Sequence, residues 1–129
     1  MIDLPKINNR AGNITSLNNN TEIPFDVKRI YYLYDVPSGV ERGGHAHKDL
    51  RQLLVAGSGS FEIILNDGNE EKSIFLNRPD KGLLIALLEF GENLKNFSSG
   101  AICFVLASES CDENDYIREF EKFKLIKNE

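Results

Sequence analysis

The strongest constraint in this chain is a repeated alternation of short β-prone runs with turn residues. In residues 61–66 Phe61, Ile63 and Leu65 alternate with Glu62, Ile64 and Asn66, the period of two expected of a strand. Asn66-Asp67-Gly68 follows, and its Asp and Gly tolerate the positive φ of a tight hairpin turn. Residues 72–76 then read as the returning strand. Upstream, FDVKRIYYLYDV (25–36) is rich in β-branched and aromatic residues and reads as a strand broken by Pro37-Ser38-Gly39. Residues 13–17 give an early strand, 50–56 and 83–88 two more, and 45–48 a short extended piece. Residues 101–107 are apolar at successive positions and predict a strand buried on both faces. Many short strands with Gly and Pro between them describe a closed or double-sheet all-β architecture, a jelly roll or barrel.

The tail departs from this pattern. In DENDYIREFEKFKLI, Tyr116, Phe120 and Phe123 fall at i, i+4 and i+7, the stripe of one short helix capped by Asp112 or Asp115. The 129 residues suffice for one domain, and no linker or repeat divides them, so a single domain over 1–129 is expected. No apolar run approaches the roughly 20 residues of a membrane span. The first residues, MIDLPKINNR, lack the apolar stretch of a secretory signal. With a net charge of −5 and scattered lysines and arginines, no basic stripe for nucleic acid is visible. Cys103 and Cys111 are too few for a disulfide framework and are read as thiols in a reducing, cytoplasmic setting.

Chemistry concentrates between Gly39 and Gly59, where the chain has the form G-x5-H-x-H-x4-Q-x6-G. His45 and His47 are the only histidines in the sequence. One residue apart on an extended chain, their rings project to one face, which in a small barrel is the cavity. Two neighbouring imidazoles suit either a metal or proton exchange with a ligand. This stretch resembles the first motif of cupins, which carries Glu where this chain has Gln52. A catalytic metal site needs at least three protein ligands and an open position. The segment matching the second cupin motif, 82–97, contains no histidine, although Glu89 or Glu92 would complete a two-His-one-carboxylate set. Metal-free acid–base chemistry is therefore the preferred reading, since the imidazole pKa lies near operating pH and protonating one ring of a pair disfavours protonating the other.

The strings FDVKRIYYLYDVPSG, ERGGHAHK, LNDGNEE, NFSSGAICFVLAS and DENDYIREFEKF are similar to the sugar 3,4-ketoisomerases, over about residues 24–124. The resemblance implies a metal-free, homodimeric cupin barrel without cofactor. Its substrate would be a TDP-linked 4-keto-6-deoxy sugar whose keto group moves from C4 to C3 in deoxy-amino-sugar biosynthesis, of the kind that supplies O-antigen and lipopolysaccharide. It also implies His45 as the base that removes the sugar proton, His47 as its partner in returning one, and Arg29, Tyr31 and Arg42 as pocket-lining, substrate-binding residues. Strand alternation sets Arg29 and Tyr31 on one face and Tyr32 and Tyr34 on the other. The chain departs from the family at 85–92, where relatives read like I-P-P-x-x-W-(H/R)-E and this chain reads IALLEFGE. Two neighbouring readings stand beside the isomerase: a nucleotide-sugar epimerase of the same barrel type, and a non-catalytic module binding sugar nucleotides.

Overall fold

The structure, a computed structural model, describes residues 1–37, 39, 42–45, 51–66, 69–85 and 91–108, with backbone alone at 42–45 and 91–92. Nine strands are described: β1 (Ile2–Asp3), β2 (Arg29–Leu33), β3 (Arg42–His45), β4 (Gln52–Ser58), β5 (Phe61–Asn66), β6 (Glu71–Leu76), β7 (Lys81–Ile85), β8 (Gly91–Lys95) and β9 (Ile102–Ala107). They form a five-stranded sheet in the order β1-β7-β4-β9-β2 and a four-stranded sheet in the order β3-β8-β5-β6. Each strand pairing is antiparallel, as the all-β expectation requires. Among the described residues no helix is long and apolar enough to cross a membrane. The helix expected after Asp115 and Cys111 lie outside the described residues.

Two apolar layers hold the sheets in place. Leu54, Phe61, Ile63, Leu76, Leu83, Leu94, Phe97, Cys103 and Val105 are buried together in a layer to which both sheets contribute. Cys103 is part of this layer as a thiol. On the other face of the five-stranded sheet, Leu53, Val55 and Leu106 are buried under Leu4, Ile23 and Phe25 of the N-terminal segment. That segment is fastened at several points. The Lys81 ammonium pairs with Asp3 at 2.8 Å, and the Arg51 guanidinium donates to the Pro24 carbonyl at 3.2 Å while lying over the Phe25 ring.

The hairpin at the centre of the sequence reading is present, with β5 and β6 in register from Phe61↔Leu76 to Asn66↔Glu71. Other expectations are corrected. Residues 13–17 form no strand: Ile14 makes one isolated bridge to Ile7, and both side chains are exposed. Set in a polar, Asn-rich N-terminal segment, this stretch has too little apolar surface to hold a ladder against a core, and the N-terminal strand is Ile2–Asp3 instead. The strand expected over 25–36 shortens to Arg29–Leu33. Phe25 is used as cover for the outer layer, and Asp35 takes a φ of 54°, a left-handed conformation in which the ladder cannot continue. β9 is not buried on both faces, because Phe104 is 37% exposed beyond the reach of the N-terminal cover. β8 was not anticipated at all. Its sequence GENLK has a single apolar residue, Leu94, and extends because it is paired on both sides by β3 and β5.

Gly59 closes the histidine-bearing motif for a structural reason. It has a φ of 67°, and a Cβ there would stand 2.4 Å from the Ser98 hydroxyl oxygen and 2.9 Å from the Ala101 Cα. Only glycine fits that turn between β4 and β5 without displacing backbone.

Candidate active site

Strand register brings Arg29, Tyr31 and Gln52 to one end of the five-stranded sheet, whereas the backbone of Arg42 lies at the other end of β3 from His45. Arg29 and Gln52 are both Cα partners of Ala107, and Gln52 also faces Ile85. Paired residues of adjacent strands project to the same face. Ala107 and Ile85 belong to the inner layer, so Arg29, Ala107, Gln52 and Ile85 form one inward row across the five-stranded sheet. Tyr31, opposite Val105, stands in the next row inward. The expectation that Arg29 and Tyr31 share a face opposite Tyr32 is met: Arg29, Tyr31 and Leu33 are half-buried, while Ile30 and Tyr32 are exposed.

These residues are in contact. The Arg29 guanidinium carbon lies 4.3 Å from the Tyr31 ring centroid, a cation–π distance. The Gln52 amide nitrogen is 3.4 Å from the Tyr31 hydroxyl oxygen and donates to it. Gln52 is only 7% exposed, the one buried polar residue among those described. Ala107, with no more than a methyl group, lies between the two strands and leaves space for this diagonal contact.

On the four-stranded sheet, the backbone of His45 lies at the strand end from which the chain leads to Gln52. His45 ends β3 opposite Gly91, and Gly91 also faces Asn66. The chain from His45 to Gln52 passes through 46–51, and that from Ile85 to Gly91 through 86–90. Both connections leave the four-stranded sheet at its His45–Gly91 end and join the five-stranded sheet at its Gln52–Ile85 end. The backbone of Arg42 pairs with Leu94 on β3. The side chains of Arg42, His45 and Glu92 are not described, and His47, Glu89 and residues 86–90 of the altered segment 85–92 lie outside the described residues.

Gln52 is the residue whose contribution the sequence left unassigned, beyond marking the position where cupins carry Glu. Its signal was there: a polar amide opening the otherwise apolar run QLLVA. By contrast Arg51, next in line, faces the N-terminal cover rather than the inner row.

The sequence matches the family model described as "FdtA: WxcM-like, C-terminal" over residues 1–128. The chain belongs to this family. Among FdtA-like proteins, the TDP-4-oxo-6-deoxy-alpha-D-glucose-3,4-oxoisomerase of Aneurinibacillus thermoaerophilus is 41% identical over 96% of this chain and 88% of its own length. A 3,4-ketoisomerase from Helicobacter canadensis, solved by crystallography, is 46% identical, with a TM-score of 0.83 over 98% of this chain and 95% of that one. A mutant of the 3,4-ketoisomerase QdtA from Thermoanaerobacterium thermosaccharolyticum, crystallised with TDP-4-keto-6-deoxyglucose, is 39% identical. Its TM-score is 0.83, over 88% of this chain and 81% of that one. The FdtA-like fold is thus the cupin-type barrel that the sequence implied.

Proposed function

We propose that this protein is a TDP-sugar 3,4-ketoisomerase, which moves the keto group of a TDP-4-keto-6-deoxy-hexose from C4 to C3. The observation that carries this reading is similarity over nearly the whole chain to enzymes named for that reaction, one of them crystallised with the 4-keto sugar nucleotide. The inward-facing contact group of Arg29, Tyr31 and Gln52, at the strand end to which the chain leads from His45, supports it.

The reaction asks for a base, an acid and donors to an oxyanion. The C3 proton of a 4-keto sugar is acidified by the neighbouring carbonyl. His45 removes it, leaving an enediolate shared between C3 and C4, and His47 assists return of a proton to C4, so that the ketone ends at C3. Arg29, Arg42 and Tyr31 serve the negative charge of the enediolate or of the diphosphate, where preorganised donors stabilise developing charge most. No metal or cofactor enters this scheme. A chelated enzyme whose lost turnover returned with zinc or iron would contradict that part of it.

The protein acts as a single cytoplasmic cupin domain and as a homodimer, supplying deoxysugars for O-antigen and other lipopolysaccharide glycans. The outer face of β2 supports the dimer. Ile30 is 62% exposed, and the Tyr32 ring lies 5.7 Å from that of Tyr34 and 5.6 Å from that of Phe104. β2 ends the described sheet, and an exposed apolar face at a sheet edge is a surface that a second copy covers. Sedimentation at micromolar concentration should give about twice the chain mass of 14.6 kDa, and a mass near the single value would contradict the dimer.

The deciding experiment for the activity is incubation with TDP-4-keto-6-deoxyglucose followed by NMR of the product. A ketone at C3 supports the isomerase. A ketone retained at C4 with inversion at C3 or C5 would show an epimerase, and unchanged sugar with bound nucleotide a binding module.

A further inference from the structure

We propose that Gln52 is a positioning residue for Tyr31, its buried amide fixing the direction in which the tyrosine hydroxyl donates. The inference rests on the isomerase reading above and extends it to a residue outside the histidine motif's acid–base pair. Gln52 is buried among apolar neighbours, and Leu53, Leu54, Val55 and Ala56, which follow it on β4, are buried too. A buried amide in such surroundings is costly unless it is hydrogen-bonded. The partner that meets its nitrogen is the Tyr31 hydroxyl oxygen, at 3.4 Å.

The polarity of this contact matters. A phenol has one hydrogen to donate and accepts through its oxygen. When an amide N–H donates into that oxygen, the tyrosine's own hydrogen is directed at an acceptor other than Gln52. Accepting one hydrogen bond also strengthens the bond a hydroxyl donates, since such chains polarise each other. The Arg29 guanidinium over the ring, 4.3 Å from its centroid, holds the ring plane and adds positive charge beside the same oxygen-bearing ring. Tyr31 is thereby set up as a donor to negative charge developing on the substrate.

This also gives a reason for glutamine at a position where cupins carry glutamate. An ionised carboxylate only accepts. It would take the Tyr31 hydrogen for itself and add a negative charge where the reaction creates one. The amide has nearly the same shape and does the opposite.

The test uses two near-isosteric variants, Gln52→Met and Gln52→Glu, in the full-length protein. Gln52→Met preserves volume but donates nothing. It should lower kcat about tenfold, the rate equivalent of one hydrogen bond, with KM and TDP affinity within about twofold. In protein labelled at tyrosine Cζ, with the Tyr31 signal assigned through Tyr31→Phe, the Tyr31 resonance should move in Gln52→Met. Gln52→Glu should lose more than tenfold in kcat near about pH 8, where the carboxylate is an acceptor. It should regain part of this near about pH 6, because burial raises a carboxyl's pKa and the neutral acid can donate to the tyrosine oxygen. A role in packing alone predicts wild-type kcat in Gln52→Met and no such pH recovery in Gln52→Glu.

An unmoved Tyr31 resonance in Gln52→Met would overturn the proposal whatever the activity. So would wild-type kcat in Gln52→Glu at both pH values, which would mean that Gln52 accepts from Tyr31 rather than donates. A wild-type chain with no turnover would overturn the isomerase reading instead, with the resonance arm still deciding the link between Gln52 and Tyr31.

Discussion

The two ends of β4 solve opposite problems with the same backbone. At the Ser58 end the chain turns through Gly59 into β5, and Phe61 stacks on Phe97 with ring centroids 5.2 Å apart. Ser60 and Ser98 close this end with reciprocal bonds, the Ser98 N–H to the Ser60 carbonyl and the Ser60 N–H to the Ser98 hydroxyl, both 2.9 Å. At the Gln52 end, six residues away along the strand, the inward positions carry Arg29, Tyr31 and Gln52. There the chain is held by particular polar contacts rather than by interdigitated rings. The difference separates two duties: apolar packing at one end supplies stability, and paired polar groups at the other end spend some of it on placing chemical groups.

That division is open to direct attack. The largest expected effect is at the packed end. Phe61→Ala removes a fully buried ring, and such truncations cost about 3–5 kcal/mol. Denaturant unfolding should show that loss while kcat per folded molecule stays within about twofold. A variant that lost activity in proportion to stability would dissolve the distinction between the ends. Tyr31→Phe, at the other end, keeps the ring under Arg29 but leaves the Gln52 amide without its hydroxyl partner. Turnover should fall at least about tenfold and stability by about 1–3 kcal/mol, the cost of an unsatisfied buried donor. Stability loss without loss of turnover would show that the contact is structural only.

The smallest effect concerns the N-terminal cover. Glu22 is held below the usual carboxylate range by backbone hydrogen bonds, its own N–H first and that of Asn18 next. The Asn18 N–H donates to a Glu22 carboxylate oxygen at 2.9 Å. A folded pKa below the unfolded one contributes stability above the ordinary value of about 4.3, lost as pH falls through the lowered value. As the pH falls below the ordinary carboxylate range, protection of the Asn18 amide, taken against its intrinsic exchange rate at each pH, should fall before that of the β4 and β9 amides. Glu22→Gln should remove that pH dependence, and simultaneous loss of protection in both places would mean the cover and barrel open as one unit.

How much of this could be read from the chain follows from how local each signal is. The β5–β6 hairpin was legible because Phe61, Ile63 and Leu65 alternate beside a turn sequence, and strand pairing needs nothing else to be recognised. Arg29 and Tyr31 were placed on one face by alternation alone, and the register confirms it. β8 was not legible, since GENLK becomes a strand only through its neighbours on either side. The ends of β2 were set by tertiary demands, Phe25 being drawn into the outer layer and Asp35 into a left-handed turn. Gln52 appeared in the sequence as the absence of a glutamate. Its contact with Tyr31 runs diagonally across β9, between residues 21 apart, and no local pattern encodes that.

The claim at the centre of this account is that the Gln52 end of the barrel moves a proton from C3 to C4, with His45 as the base. The most direct measurement is NMR of TDP-4-keto-6-deoxyglucose in deuterated solvent with the wild type, His45→Asn and His47→Asn. The wild type should yield the 3-keto product. His45→Asn should lose both isomerisation and exchange of the C3 proton by at least about a hundredfold, within the usual range of a general base, with TDP affinity little changed. His47→Asn should be impaired in isomerisation yet keep part of the C3 exchange. Near-normal C3 exchange in His45→Asn would contradict the account, as the base would then be another residue. Loss of TDP binding in both variants would contradict it too, making the histidines ligand anchors rather than proton carriers.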